Sequence, residues 1–335
     1  MSGAVKAFSA WKGVSVMENF RSGQGRGGRP PALEIVGENC KRYKEMLHLR
    51  GDFSLVGLVT LAMLLASMTW NLADYHTHTV LCHHASGTPC EYVQQAQRSG
   101  LTEMGFSCHS PMRSEFDDWR MSIDDLPRYF EMVEEARVFG LDMGVTVRLG
   151  LEVDFLPGHE AWIEELASMA SWDYLIGSVH YLTDSLVVDH PEHISQLRNL
   201  SAERVWESYW QRYTEAIHTG LFDIMGHPDL PKKFGMIPEG DLANYYEPAI
   251  TAMAQVGNAF EINTAGIRKP IAEVYPTPEF LKLAHTARVP LVISSDAHAT
   301  EEVAGYFGRA VTEATVAGYT QTAHFHQRER TLVDL

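Results

Sequence analysis

Apolar runs in this chain repeatedly end on an imidazole or a carboxylate, and that recurrence constrains the fold more than any other feature. The first such place is Asp74-Tyr75-His76-Thr77-His78, with His84 six residues further on. GFSCH then ends on His109, LGLEVDF carries Glu152, IGSVH ends on His180, DIMGH ends on His227, and SSDAH carries Asp296 and His298. In an extended segment residues i and i+2 point the same way, so His76 and His78 can grip one ion together. Leaving a buried polar group unpaired costs about 1–3 kcal/mol, and an isolated charge costs far more. So many convergent cases need a common partner, and a cluster of divalent cations supplies it. Seven histidines and two carboxylates are enough for two or three ions, one carboxylate bridging neighbours. Mixed nitrogen and carboxylate ligation suits zinc, manganese or iron better than magnesium or calcium.

The text between these ends alternates helix and strand. Ser122 reads as an N-cap with Asp125 at the third helical position, opening a helix to about Phe139, and Pro127 is tolerated in its first turn. Ser201 opens a long helix to about Thr219 that closes on Gly220, and the strand Phe222–Gly226 follows. Asp241–Val256 is helical and closed by Gly257, before the strand Ala259–Asn263. Helix 277–287, strand 290–296 and helix 301–317 complete the pattern. Repeated alternation predicts a parallel α/β fold, and a closed barrel holds this number of units. Strand C-termini form the catalytic face of such a barrel, which is where the histidines fall.

Residues 1–67 read differently. Arg21–Pro31 is rich in Gly and Pro and reads as solvated chain. Residues 53–73 carry no charge. Their densely apolar part is shorter than the ~20 residues a membrane span needs, and it begins too far in for a secretory signal. The favoured expectation is an N-terminal extension over 1–67 that precedes the biological start at Met68, with one metal-dependent domain over 68–335. The formal charge of −16, from 27 Lys plus Arg against 43 Asp plus Glu, argues against nucleic acid as a partner. It also means an anionic substrate must be neutralised locally. Four cysteines without CxxC spacing read as reduced thiols of a cytoplasmic protein.

Taken together, DYHTHT with His84, GFSCHSPM, GLEVDF, GSVH, GHPDL, INTAGIRKP and SSDAH resemble the PHP (polymerase and histidinol phosphatase) superfamily, and within it the monofunctional histidinol-phosphatase branch. The resemblance runs from about Ala73 to the C-terminus. It implies a distorted (β/α)7 barrel with a trinuclear centre. It further implies that His76, His78, Glu152 and Asp296 hold a first ion. Glu152 bridges to a second completed by His180 and His227, and His84, His109 and His298 hold a third. Family spacing favours His84 over its neighbour His83.

The expected reaction is metal-assisted hydrolysis of a phosphate monoester, L-histidinol phosphate, with water acidified by the cations attacking phosphorus in line. Arg268 in INTAGIRKP, Lys233 after GHPDL (with Lys232 beside it) and Arg120 are the candidate phosphate contacts. Asp296 and His298 are the candidate catalytic groups, and the proton donor to the leaving alkoxide stays open between a water, Asp296 and an imidazole. Alternatives are another small phosphate ester or a nucleotide as substrate, or a proofreading-type module. His159, His190, His193, His218, His285, His324 and His326 read as surface or packing residues, and no tryptophan, Trp119 included, is assigned a site role.

Overall fold

The computed structural model of the chain describes residues 70–114 and 116–335. The expected extension over 1–67, with most of its uncharged stretch, lies outside the described residues. Among the described residues no helix is long and apolar enough to cross a membrane.

Seven parallel strands close a barrel: β1 (Trp70–Asp74), β2 (Leu101–Phe106), β3 (Thr146–Asp154), β4 (Tyr174–Ser178), β7 (Ile224–Met225), β8 (Ala259–Asn263) and β9 (Leu291–Ser294). Each is followed by helix: α1 (Pro89–Arg98), α2 (Leu126–Met143), α3 (Glu160–Ser168), α4 (Ile194–Arg198) with α5 (Ala202–His218), α6 (Ala243–Val256), α7 (Pro278–Thr286) and α8 (Phe307–Ala317). The expected seven-unit barrel is therefore what the chain forms. A short hairpin of β5 (Tyr181–Thr183) and β6 (Leu186–Val187) follows β4, and a longer one of β10 (Gln321–His326) and β11 (Glu329–Asp334) ends the chain.

Local chemistry sets the helix ends. Ser122 and Asp125 form the expected capping box, but the residues behind it make one 3-10 turn before α2 starts at Leu126. Pro127 sits in the first turn of α2, and Gly144 closes the helix in the left-handed region, later than Phe139. Ser201 caps α5 by accepting from Arg204 N. The helix expected from Glu301 is broken: a 3-10 turn at Thr300–Glu302 is followed by left-handed Ala304 and Tyr306, and α8 begins only at Phe307. The break has a tertiary cause, because Ala304 N donates to Asp74 Oδ2 at 2.9 Å.

The barrel interior is filled on its lower side by Ala73, Tyr75, Tyr174, Ile176, Ile224, Ala259 and Val292, and Ala323 and Phe325 of β10 join the same cluster. Phe325 N donates to the Tyr75 hydroxyl at 3.0 Å, so the C-terminal hairpin caps the barrel floor. Tyr174 lies across the lumen because Gly105 makes room for it. A Cβ on Gly105 would come within 2.2 Å of the Tyr174 hydroxyl. With the floor packed, the opposite mouth is left for polar groups.

Candidate metal centre

The strand ends bring their polar side chains to one place. His76 and His78 lie just past β1, His109 three residues past β2, Glu152 inside β3, His180 two residues past β4, His227 two past β7, and Asp296 and His298 beyond β9. Glu152 is the hub. Its Oε2 lies 2.7 Å from His109 Nδ1, 3.3 Å from His76 Nε2 and 3.7 Å from His78 Nε2. Its Oε1 lies 3.1 Å from His227 Nε2 and 3.7 Å from His180 Nε2, and it accepts from Ser178 Oγ at 2.7 Å. Asp296 Oδ1 is 3.3 Å from His78 Nε2 and 3.8 Å from His76 Nε2. The His84 ring stacks on His298 at 4.5 Å and stands 5.4 Å from His109.

Three sets of potential ligand atoms lie within 4.8 Å of one another here: His76, His78 and Glu152; Glu152, His180 and His227; and His84, His109 and His298. A fourth, His78, Cys82 and His298, shares two of these imidazoles. All nine residues expected as ligands are thus gathered at one mouth, Asp296 through its contacts with His76 and His78. His227 and Asp296 adopt positive φ, of 21° and 51°, a strain that non-glycine residues accept chiefly at functional sites.

The residues fit divalent cations. His76 Nε2, His78 Nε2, His109 Nδ1, Glu152 Oε2 and His298 Nε2 are buried and outside hydrogen-bond geometry, although Glu152 Oε2 faces the first three at ion-pair distance. Buried donors and acceptors arranged in this way are costly unless a shared partner satisfies them. Burial opposes charge on Glu152 and Asp296, yet the surrounding imidazoles (His109 and His76 at Glu152, His76 and His78 at Asp296) hold both carboxyls well below the usual range. Burial pushes His109 down to about 4 and also lowers His84 and His298, keeping them in the neutral form that ligates. His76, His78 (up to about 9) and His180 (up to about 10) go the other way, because the neighbouring carboxylates, Glu261 and Glu152 at His76, Asp296 at His78 and Asp154 at His180, outweigh their burial.

A second ring of partners orients these imidazoles. Asp154 Oδ1 faces His180 Nδ1 at 2.7 Å, and Glu261 Oε2 faces His76 Nδ1 at 3.0 Å. Glu261 Oε1 also accepts from His227 N at 2.7 Å and Asn263 Nδ2 at 2.8 Å. Sequence reasoning passed over Glu261 and Asp154. The available signal was a carboxylate in the middle of AFEIN, and a second one two residues after Glu152.

The expected phosphate contacts are less free. Arg120 is buried, holding Asp117, Asp154 Oδ2 (3.0 Å) and Ser110 O (3.1 Å) beneath the Trp119 ring. Lys233 Nζ pairs with Asp189 Oδ2 at 2.9 Å. Arg268 Nη2 donates to Ser295 O and Asp296 O, and its Nε pairs with Glu302 at 3.0 Å. Lys232 is fully buried, donating to Val274 O at 2.8 Å. Trp119 does reach the centre, its ring 4.8 Å from His109 and 5.4 Å from His180.

Comparison with known proteins agrees with this geometry. The PHP domain profile matches residues 74–265. A Deinococcus radiodurans protein described as a probable histidinol-phosphatase is 41% identical over 262 residues, covering 77% of this chain and 98% of its own length. The histidinol-phosphatase of Bacillus subtilis is 29% identical, over 72% of this chain and 98% of its own. The fold matches a crystal structure of histidinol phosphate phosphatase from Lactococcus lactis, complexed with zinc, L-histidinol and phosphate. That match has a TM-score of 0.64 at 20% identity and covers 78% of this chain and 98% of the other. With most of the chain aligned to these relatives and its barrel carrying the same family's histidine pattern, the chain belongs to the PHP family, in its histidinol-phosphatase branch.

Proposed function

We propose that this protein hydrolyses L-histidinol phosphate to L-histidinol and phosphate at a centre of two or three divalent ions, zinc, manganese or iron, in the cytoplasm. The observation that carries the reading is the convergence of buried, unpaired ligand atoms around Glu152 at the barrel mouth, in a chain 41% identical to a relative described by that activity. His76, His78, Glu152 and Asp296 would hold one ion; Glu152, His180 and His227 a second; His84, His109 and His298 a third.

Bound there, the ions supply Lewis-acid charge and a water nucleophile acidified toward neutral pH. The protein's own groups do the rest. Glu152 and Asp296 keep the mouth anionic until cations arrive. Asp296 and His298, beside the exposed His84, are partly exposed members of the set, with side chains 18% and 24% accessible. They therefore stand where a substrate enters and are the candidates for handling the leaving group's proton. Arg268, tied to the Ser295 and Asp296 carbonyls, holds the turn that presents them and brings a guanidinium to the same rim. Lys233 adds a cation beside Asp189 near His180. The enclosed contacts of Arg120 favour a positioning role through Asp154 over direct contact with phosphate. Trp119 offers a flat apolar wall against which an imidazole ring can pack.

The test is phosphate release from L-histidinol phosphate beside a nucleotide and p-nitrophenyl phosphate, using protein loaded with manganese or zinc and a His78→Ala variant. Metal-dependent turnover concentrated on histidinol phosphate and absent from the variant is expected. Preference for another ester would keep the centre and reject the substrate.

A further inference from the structure

At the floor of the barrel, opposite the mouth that gathers the imidazoles, the chain forms a cavity of about 310 Å³ that the proposed reaction does not use. One wall stands where two strands begin: Phe222 and Asp223 lead into β7, and Asn258 leads into β8. The C-terminal hairpin supplies the other wall, with Phe325 from β10, Arg328 from the turn and Arg330 from β11. The volume is at the small end of the range of ligand sites, roughly 300–1,000 Å³, so it admits one small metabolite.

The chemistry of the wall is polar and of both signs. Asp223 Oδ2 accepts from Leu175 N at 2.8 Å and pairs with Arg328 Nε, which ties the hairpin to β7. Asp223 Oδ1 makes no bond among the described residues. Arg328 Nη2 donates to Leu221 O at 2.7 Å, which leaves Nη1. Arg330 meets no carboxylate; its Nη1 donates to Gly257 O at 2.6 Å, which leaves Nε and Nη2. Asn258 is 3% exposed, its Nδ2 donates to Phe222 O and its Oδ1 has no partner. Holding the hairpin in place requires only the pair of Asp223 with Arg328. A second guanidinium and an open carboxylate oxygen are in excess of that need. Their mixed sign selects among ligands, because a simple oxyanion would be opposed by Asp223 and a simple cation by the two arginines. A molecule that carries both charges a few bonds apart meets neither penalty.

We propose that this floor cavity binds a small α-amino acid in its zwitterionic form: Arg328 and Arg330 hold the carboxylate, Asp223 Oδ1 holds the ammonium, and the side chain packs against Phe222 and Phe325. The strands that begin at this wall are those that lead to His227 and carry Glu261, so the site lies beneath the metal centre and apart from it. The inference does not depend on which ester the centre hydrolyses, and the two readings fail separately.

The experiment takes metal-loaded full-length protein, screens the common L-amino acids one by one at millimolar concentration for a rise in the thermal midpoint, and titrates the best stabiliser by calorimetry. One molecule per chain should bind saturably. Arg330→Leu, a change on the exposed rim, should weaken it by about 10–100-fold, the loss of a charge-assisted hydrogen bond. Analogues of the same molecule that lack the amino or the carboxyl group should each bind at least about tenfold more weakly. Absence of binding by every amino acid overturns the proposal. So does wild-type affinity in folded Arg330→Leu protein, which would place the molecule at the metal centre, and so does full affinity for the analogue without an amino group, which would make the cavity a plain anion site. If Arg330→Leu does not fold, Asp223→Asn is read instead: it keeps the side-chain shape and removes the charge that faces the ammonium, and unchanged affinity there overturns the proposal equally.

Discussion

Glu261→Gln is a change of one atom that should disable a ligand it never replaces. Glu261 Oε1 accepts from His227 N and Asn263 Nδ2, and His76 Nδ1 faces both carboxylate oxygens, at 3.1 Å from Oε1 and 3.0 Å from Oε2. A glutamine has one acceptor oxygen and one two-proton nitrogen. Placing its nitrogen at the Oε1 position would set it against two donors, so the oxygen goes there and the nitrogen faces His76. His76 Nδ1–H then faces an amide, its one remaining acceptor being the oxygen already shared with two other donors, and this favours moving the proton to Nε2, the nitrogen aimed at Glu152 and Asp296. That shifts the ring toward the form that does not ligate through Nε2. Loss of such an outer partner weakens metal binding by about 10–100-fold, or roughly 1.4–2.8 kcal/mol. Manganese titration of the apo-variant, with phosphate release followed over the same range, measures it. Activity should return at higher manganese with little change at saturation. Wild-type affinity in a folded Glu261→Gln protein would refute the tautomer argument.

Three further outcomes follow from the geometry. Chelation should lower the thermal midpoint, since an ion held at about 100 times its dissociation constant contributes roughly 2.7 kcal/mol, and calorimetry with and without chelator reads the difference. Gly105→Ala should destabilise by about 1–3 kcal/mol in urea, because the new methyl meets the Tyr174 hydroxyl that donates to Tyr75 O at 2.6 Å; a loss below about 0.5 kcal/mol would contradict it. Asp173 accepts from Leu149 N and Gln327 N and, against its burial, is held below the usual carboxylate range by those bonds and His326. A depressed folded value stabilises above the unfolded one (about 3.9) and is lost as pH falls through the folded value. Asp173→Asn should therefore be destabilised at pH 7, with the gap from wild type narrowing in urea titrations below pH 4.

The strand ends were legible because each combined an apolar run with a group that burial penalises, and a parallel α/β barrel followed from their alternation with capped helices, its seven units being implied by the family resemblance. Ser122, Ser201 and Gly257 mark boundaries through bonds to their own neighbours, so local text suffices for them, whereas Gly144, which closes α2, was passed over for Phe139. What local text cannot carry is a partner far away in sequence. The helix expected from Glu301 stops short because Asp74, far back in the chain, takes the Ala304 amide. Glu261 looks like an ordinary strand residue until His76 is seen opposite it. Arg120 reads as a free cation until Asp117 and Asp154 are found around it. Trp119 was given no role because only the folded loop brings it to His109. Strand Phe222–Gly226 shrinks to Ile224–Met225, since Asp223 turns its carboxylate to Leu175 N.

The barrel's seam has a consequence for timing. Strands β1 and β9 share a single register pair, Asp74 with Ile293, and the Asp74 carboxylate reinforces it by accepting from Ser295 N at 3.0 Å. Those partners are 221 residues apart, so ring closure joins distant parts of the chain and belongs among the slow steps of folding. His76 and His78 stand on one side of that seam, and Asp296 and His298 on the other. No nascent or partly folded chain can present them together. On the proposed ligand set, uptake of the ion shared by His76, His78 and Asp296 is a clock for closure: in a refolding experiment it should trail the burial of the helices and coincide with the last gain in native structure.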